Sequence, residues 1–182
     1  MDIPDLPYSP IQLVETYPDK DIQVYVKRED LIHPEFGGNK WRKLKYNIQA
    51  FQQSDHNCII SFGGPFSNHI AALANICQVY NIPCVGIIRG EYIDPDNPTL
   101  KKAKDKGMII HHVPKKEYAL KESSKIIGDI INSYDQPYLL PEGGSNALAF
   151  KGVCEIQDEM ASQDINADII LVAAGTGMTA AG

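Results

Sequence analysis

Lys40 is the residue whose position most clearly suggests chemistry. It follows Gly37-Gly38-Asn39 and opens a stretch whose apolar residues recur every three or four positions, which predicts that Lys40 lies in the first turn of a helix. The positive end of the helix dipole repels an ammonium there, and a lysine held in such a place and away from water loses its proton more readily. The resulting amine is a good nucleophile. The alternative is a solvated surface lysine, and the flanking glycines and Trp41 favour the chemical interpretation.

Gly-rich turns follow two of the predicted strands. One turn, residues 63–68, follows the apolar run 58–62, and the other, residues 175–179, follows the apolar run 168–173. Glycine lets the backbone come close to an anion, and threonine hydroxyls donate hydrogen bonds. We therefore expect the second turn to bind a phosphate group. An ordinary strand–helix turn and the start of a dinucleotide-binding G-x-G motif remain as alternatives.

Other polar side chains have ordinary explanations. Ser67 stands directly before a predicted helix, and from its position alone we prefer a role as helix N-cap. The histidines lack the spacing of metal ligands, so we expect no metal site and interpret them as structural or surface residues. They are His33, His56, His69, His111 and His112.

Strands and helices that alternate along the chain must position these residues. The predicted strands are 22–26, 58–62, 84–88, 108–112, 138–140 and 168–173, and the predicted helices are 39–53, 68–80, 99–106, 121–133 and 147–160. This order predicts an α/β fold with mainly parallel sheets. A further helix is expected to begin near Thr179, so we expect the sequence to be a piece of a longer protein.

Composition argues against several classes of protein. The 182 residues carry a net charge of −6, and nucleic-acid binding needs a basic face. No apolar run approaches the roughly 18 residues of a membrane span. Four scattered cysteines without a C-x-x-C pair are typical of a reducing compartment. We expect a cytoplasmic protein that binds neither nucleic acid nor membrane.

Five segments together resemble the D-cysteine desulfhydrase/1-aminocyclopropane-1-carboxylate (ACC) deaminase family of fold-type II pyridoxal-phosphate (PLP) enzymes. The matching segments are residues 26–30, 37–44, 63–69, 142–147 and 175–179. The most specific feature is K-R-E-D followed by G-G-N-K-x-R-K-L, a composite that chance does not readily supply. The resemblance extends over almost the whole chain.

The resemblance implies roles for individual residues. Lys40 would form the Schiff base with pyridoxal 5'-phosphate, and Lys43, one turn later on the same helix face, would approach the cofactor phosphate. Asn68 would hydrogen-bond the 3′-oxygen of PLP, and Ser67 would face the substrate as a nucleophile or as a donor to its carboxylate. The residues expected to hold the phosphate are Gly175, Thr176, Gly177, Met178 and Thr179.

The resemblance also implies the tryptophan synthase β-like fold, with two three-layer domains that each contain a parallel sheet. Residues 43–155 would form the small α/β domain. Residues 1–42 and 156–182 would belong to the large PLP-binding domain, whose C-terminal part is expected to be missing from this sequence. A homodimer is expected for the full-length form.

The implied chemistry is that of a lyase or deaminase acting on a small amino acid. We favour D-cysteine desulfhydrase-like β-elimination, which gives pyruvate, ammonia and sulfide, because Phe66 stands where some deaminases have a glutamine. The alternative within the family is ACC deaminase, which opens a ring hydrolytically. Two alternatives outside it are an inactive fragment and a dinucleotide-binding module, and the latter gives Lys40 no role.

Overall fold

The computed structural model describes residues 6, 8–91, 94 and 96–182. The strands in this part of the chain are β1 (Ile11–Tyr17), β2 (Ile22–Lys27), β3 (Cys58–Gly63), β4 (Cys84–Arg89), β5 (Ile109–Val113) and β6 (Pro137–Leu140). The helices are α1 (Asn39–Gln52), α2 (Asn68–Val79), α3 (Pro98–Asp105), α4 (Lys115–Leu120), α5 (Lys125–Asn132), α6 (Ala147–Ser162) and α7 (Met178–Ala181). Each of these helices is too short or too polar to cross a bilayer.

A parallel sheet with strand order β5-β4-β3-β6 forms the centre of the molecule. Side chains of β3 alternate between its two faces, so that Ile59 contacts the core under α1, α2 and α3, whereas Ile60 and Phe62 contact the core under α4 and α5. Both cores are fully buried, which explains the nearly continuous apolar run of β3. The predicted α/β fold with a parallel sheet is confirmed.

The helix predicted over 121–133 is shorter: a 3-10 turn occupies Lys121–Ser123, and α5 spans Lys125–Asn132. Helix α5 begins at Lys125 because the Ser124 side chain accepts a hydrogen bond from the backbone N–H of Ile127, as an N-cap does. Lys121 has a positive φ of 50°, a conformation that no helix contains, and so it ends the preceding helix α4. The prediction missed both the cap and α4.

The first two strands form an antiparallel hairpin outside the central sheet. Strand β2 was predicted, but as a half-buried strand. Its side chains are in fact exposed, with Val24 and Val26 at 41% and 42%, because no layer of the described residues covers them. Strand β1 was not predicted, since a register shift between Leu13 and Glu15 interrupts the alternation that marks a strand.

The predicted strand at 168–173 is wrong. No ladder forms along this stretch in the part of the chain that the structure describes, and Leu171 is 92% exposed. A strand needs a neighbour to take up its backbone hydrogen bonds, and no described strand lies beside this one. The second parallel sheet and the domain limits at residues 43 and 155 therefore stay predictions.

Helix α6 packs along α1 around a buried ion network. Arg42 of α1 binds two carboxylates, Glu29 at 2.9 Å and Glu159 of α6 at 2.5 Å, and Lys27 binds Glu159 at 2.7 Å. At Gly152 any Cβ would collide with the Arg42 carbonyl oxygen, so the two helices approach closely. The ion pairs of Lys27 and Glu29 thus hold the K-R-E-D segment, residues 27–30, against α1 and α6.

Candidate active site

Two lysines of α1, Lys40 and Lys43, are largely shielded from solvent. Lys43 is 3% exposed, and neither Lys43 nor Lys40 forms an ion pair within the described residues. Burial, followed by the charge of Lys40, lowers the pKa of Lys43 to about 8. Burial also lowers the pKa of Lys40. An ammonium in such a place is costly unless an anion accompanies it, so this face of α1 favours an anionic ligand.

The turn before α7, where the sequence predicts phosphate binding, lies against this face of α1. The Lys43 ammonium is 3.5 Å from Thr176 Oγ1, and the Asn39 amide donates a hydrogen bond of 3.0 Å to Thr179 Oγ1. Thr176 Oγ1 also lies 2.9 Å from Ser145 Oγ. Hydroxyl groups from two separate loops therefore surround the Lys43 ammonium.

Gly143 and Gly144 form a turn after β6 that closes the same site. Both have positive φ values, 70° and 68°, which larger residues adopt only with strain. A Cβ at Gly144 would lie 3.5 Å from Lys43 Cβ and 3.5 Å from His69 Cε1. The turn thus brings the backbone up to both side chains. In the sequence this turn belongs to 142–147, one of the five segments that carry the resemblance to the PLP family.

His69 lies beside the two lysines, a placement that the sequence did not reveal. Its Nε2 is 2.8 Å from Ser61 Oγ, and Ser61 in turn donates to the Leu140 carbonyl oxygen at 2.9 Å. The Ser61 hydroxyl must then accept, so we assign the proton to Nε2. Burial, with the charges of Lys40 and Lys43, lowers the pKa of His69 to about 3, which keeps the ring neutral.

The second ring nitrogen of His69, Nδ1, is buried and has no hydrogen-bond partner within the described residues. Such an atom usually marks a place for an ordered water or a ligand. His69 had been interpreted as structural or surface. The available signal was its position directly after the Ser67-Asn68 pair, where a helix begins at the end of a strand.

Ser67 and Asn68 lie where β3 leads into α2. Ser67 Oγ accepts a hydrogen bond of 3.3 Å from the Ile70 N–H, which confirms the N-cap interpretation and leaves the hydroxyl proton free to donate. A Cβ at Gly63 would lie 2.9 Å from Ser67 Oγ, so this glycine allows the close turn. Asn68 is exposed, and its amide has no hydrogen bond within the described residues.

Comparison with known proteins identifies the family. The family described as "Pyridoxal-phosphate dependent enzyme" matches residues 6–182. This chain belongs to that family. Its members use PLP, so the cofactor and the enzyme class that the sequence predicted are confirmed at this level.

Individual relatives within this PLP family agree with the resemblance. The chain is 29% identical to the bifunctional D-cysteine desulfhydrase/1-aminocyclopropane-1-carboxylate deaminase, mitochondrial, of Arabidopsis thaliana, over 88% of this chain and 44% of that protein. It is 26% identical to the D-cysteine desulfhydrase of Serratia proteamaculans, over 88% of this chain and 51% of that protein. The crystal structure of an ACC deaminase homologue superimposes with a TM-score of 0.76 at 26% identity, and covers 98% of this chain and 56% of that one.

The chain spans about half the length of the curated relatives that it matches. PLP carries an aldehyde, which reacts with an amine, and a phosphate, which needs a cation and hydrogen-bond donors. Lys40 and Lys43 could supply the amine and the cation, and Thr176 and Ser145, which lie 2.9 Å apart, could supply hydroxyl donors. The residues present therefore fit PLP.

Proposed function

We propose that this protein, at its full natural length, is a PLP-dependent lyase that eliminates the β-substituent of a small amino acid such as D-cysteine. The observation that carries the proposal is the pair Lys40 and Lys43, which face one site with lowered pKa values and no carboxylate partner. Bound PLP supplies an electron sink for the charge that develops at the substrate Cα.

Each residue of the site has a distinct task in this proposal. Lys40 would hold PLP through its amine, and the same amine would accept the proton from the substrate Cα. Its lowered pKa suits both tasks, because more of the amine is unprotonated near neutral pH. Lys43 and Thr176 bind the cofactor phosphate, together with the other residues of 175–179.

Ser67 and Asn68 complete the proposed site from the side of α2. The Ser67 hydroxyl, whose proton is free, donates to the substrate carboxylate and so orients Cα towards Lys40. The Asn68 amide donates to the 3′-oxygen of PLP. Neutral His69 presents Nδ1 as an acceptor and adds no positive charge that would raise the cost of holding two lysines together.

Phe66 supports elimination from D-cysteine rather than opening of the ACC ring. It is 71% exposed on the turn before Ser67, and it offers neither a donor nor an acceptor to a substrate. Elimination of a thiol needs only removal of the Cα proton and a good leaving group. ACC has no Cα proton, so opening of its ring needs additional acid–base groups near the ring carbons. The Serratia relative, which is named D-cysteine desulfhydrase, supports the same choice.

ACC deaminase activity is the second candidate, because the Arabidopsis relative is named for both activities. A dinucleotide-binding module is disfavoured, since Thr176 of the G-x-G turn contacts Lys43. The cytoplasmic location and the homodimer stay predictions, and the Arabidopsis relative is named as mitochondrial.

An assay of both substrates tests this proposal. At matched concentrations, kcat/KM for sulfide release from D-cysteine should exceed kcat/KM for ammonia release from ACC. The opposite order would overturn the choice of reaction.

A variant at Ser67 adds a second test of the choice. Ser67→Ala should reduce ACC turnover far more than sulfide release, because only ring opening uses the hydroxyl as a reacting group. Ser124→Ala is the matched control, since Ser124 caps α5 with the same 3.3 Å bond but lies on another helix.

A further inference from the structure

An open cleft of about 500 Å³ lies at the carboxyl end of the parallel sheet, apart from the cluster around Lys43. Helix α4 and the ends of β4 and β6 surround it. The residues that line it are Arg89, Lys115, Tyr118, Ala119, Lys121 and Glu142. Nothing in the proposed reaction uses these side chains.

The cleft has an excess of positive charge. Its one acidic residue, Glu142, already pairs with Lys121 at 2.6 Å. Arg89 and Lys115 form no ion pair within the described residues, and Arg89 has no side-chain hydrogen bond there either. Two cations lie over one ring, with Lys121 Nζ at 3.5 Å and Arg89 Cζ at 5.7 Å from the centroid of Tyr118. One carboxylate therefore faces three cations, Arg89, Lys115 and Lys121, and this imbalance favours a further anion in the cleft.

The hydroxyl of Tyr118 adds a donor to the cleft. Tyr118 is 3% exposed, and its hydroxyl has no hydrogen bond of normal geometry in the described part of the chain, although the Glu142 carboxylate lies near it. Burial, followed by the charge of Glu142, raises its pKa, so it stays protonated and can donate. A buried hydroxyl whose contact with its neighbour is not of normal geometry can turn to a better-placed acceptor on a bound ligand.

The cleft adjoins the candidate active site through two loops. Arg89 ends β4, and its Nη2 would lie 3.6 Å from a Cβ at Gly64, so the guanidinium lies beside the turn that carries Ser67. Glu142 directly precedes the Gly143-Gly144 turn. Its charge also acts on His69. A ligand in the cleft would therefore touch the loops that position the site.

We propose that this cleft binds the carboxylate of a small ligand, with Arg89 as its main partner and the Tyr118 hydroxyl as a further donor. The planar guanidinium fork matches the two oxygens of a carboxylate. A singly charged group suits the cleft better than a doubly charged phosphate, because Glu142 remains nearby and repels excess negative charge. The carboxylate has two possible sources: a free small acid, and the distal carboxylate of an amino acid held at Lys40.

Calorimetric titration with succinate, at constant ionic strength and on protein saturated with PLP so that the phosphate site at Lys43 is filled, tests the cleft without any turnover. Succinate should bind saturably, Arg89→Gln should weaken it at least tenfold, and Tyr118→Phe should weaken it several-fold. Lys101→Gln on α3 removes an equal charge from an exposed position elsewhere and should change nothing. Unsaturable binding, an equal loss in Lys101→Gln, or tighter binding of inorganic phosphate than of succinate would overturn the proposal.

Competition identifies the source of the carboxylate. If the distal carboxylate of an amino acid fills the cleft, D-glutamate should compete with D-cysteine, and Arg89→Gln should weaken that competition. If succinate binds but D-glutamate does not compete, the ligand is a free acid. Because the titration measures binding alone, loss of the proposed elimination reaction would not affect it.

Discussion

Arg42 and Lys43 are neighbours on α1 with the same charge and almost the same burial, 4% and 3% exposed, yet their surroundings differ completely. Arg42 contacts the carboxylates of Glu29 and Glu159. Burial alone would lower its pKa, but hydrogen bonds to these two residues raise it. Lys43 has no carboxylate partner among the residues that the structure describes, and burial, followed by the charge of Lys40, lowers its pKa to about 8.

The difference teaches which buried cation is structural and which one awaits a ligand. Arg42 connects α1 to α6 and to the K-R-E-D segment, so its charge is already neutralised by the fold. The charge of Lys43 is not, although it is desolvated. A fold that leaves a buried ammonium unpaired gives up stability, and here the site that results fits the phosphate of PLP.

The largest effect on stability is expected from a substitution of Arg42, the cation that has carboxylate partners. Arg42→Met should lower the free energy of unfolding by about 3 kcal/mol, because it removes the main cation of Glu29 and Glu159 and leaves Lys27 to face both carboxylates. Urea denaturation measures this change. Arg28→Met is the control, since Arg28 pairs with the exposed Asp30, and its midpoint should hardly move. Similar midpoints for the two variants would show that the Arg42 network is not structural.

At Lys43 we expect the opposite effect, because its unpaired charge should lower the stability of the folded protein. Its folded pKa, about 8, lies below its ordinary value of 10.5, so the unfolded chain binds more protons between these two pH values. Stability should therefore rise from about pH 8 to pH 10.5, with the full penalty present below pH 8.

Lys43→Met should abolish this rise and stabilise the protein at pH 7 by about 1–2 kcal/mol. Urea denaturation at pH 7 and at pH 10 measures both effects. Lys101→Met, at an exposed position on α3, serves as the control. A Lys43→Met protein that is less stable at pH 7 would show that Lys43 has a structural partner.

Lys45 should give the smallest effect of the three. It pairs with Glu155 at 3.0 Å, and both side chains are 25% exposed. Lys45→Met should therefore change the free energy of unfolding by no more than about 1 kcal/mol, and added salt should reduce the difference. Denaturation in low and high salt tests this. A large loss of unfolding free energy that salt does not alter would contradict this. It would mean that a partly exposed ion pair on α1 can stabilise the fold as strongly as the buried pairs of Arg42.

Local patterns in the sequence predicted most of the central sheet and its helices. The apolar runs of β3 and β4 and the helical period of α1 are signals of neighbouring residues, and each was recognised. The absence of a ladder along 168–173 in the described residues could not be predicted in this way, because a strand depends on a partner elsewhere in the chain. The exposure of β2 has the same origin.

The candidate site was predictable only in part. Lys40 was selected by its position at the start of a helix and the 175–179 turn by its glycines and threonines, whereas Lys43 followed only from the resemblance to the PLP family. The partners of Arg42 were not, since Glu159 is 117 positions away and no local pattern links the two. The unpartnered nitrogen of His69 also depends on contacts between separate loops.

Identification of the lysine that binds PLP tests the central claim most directly. The protein at its full natural length is mixed with PLP and reduced with borohydride, and the labelled peptide is mapped by mass spectrometry. The account predicts a single label on Lys40, which Lys40→Ala abolishes and which Lys43→Met leaves in place with weaker cofactor binding. A label on Lys43, or on no lysine at all, would contradict it.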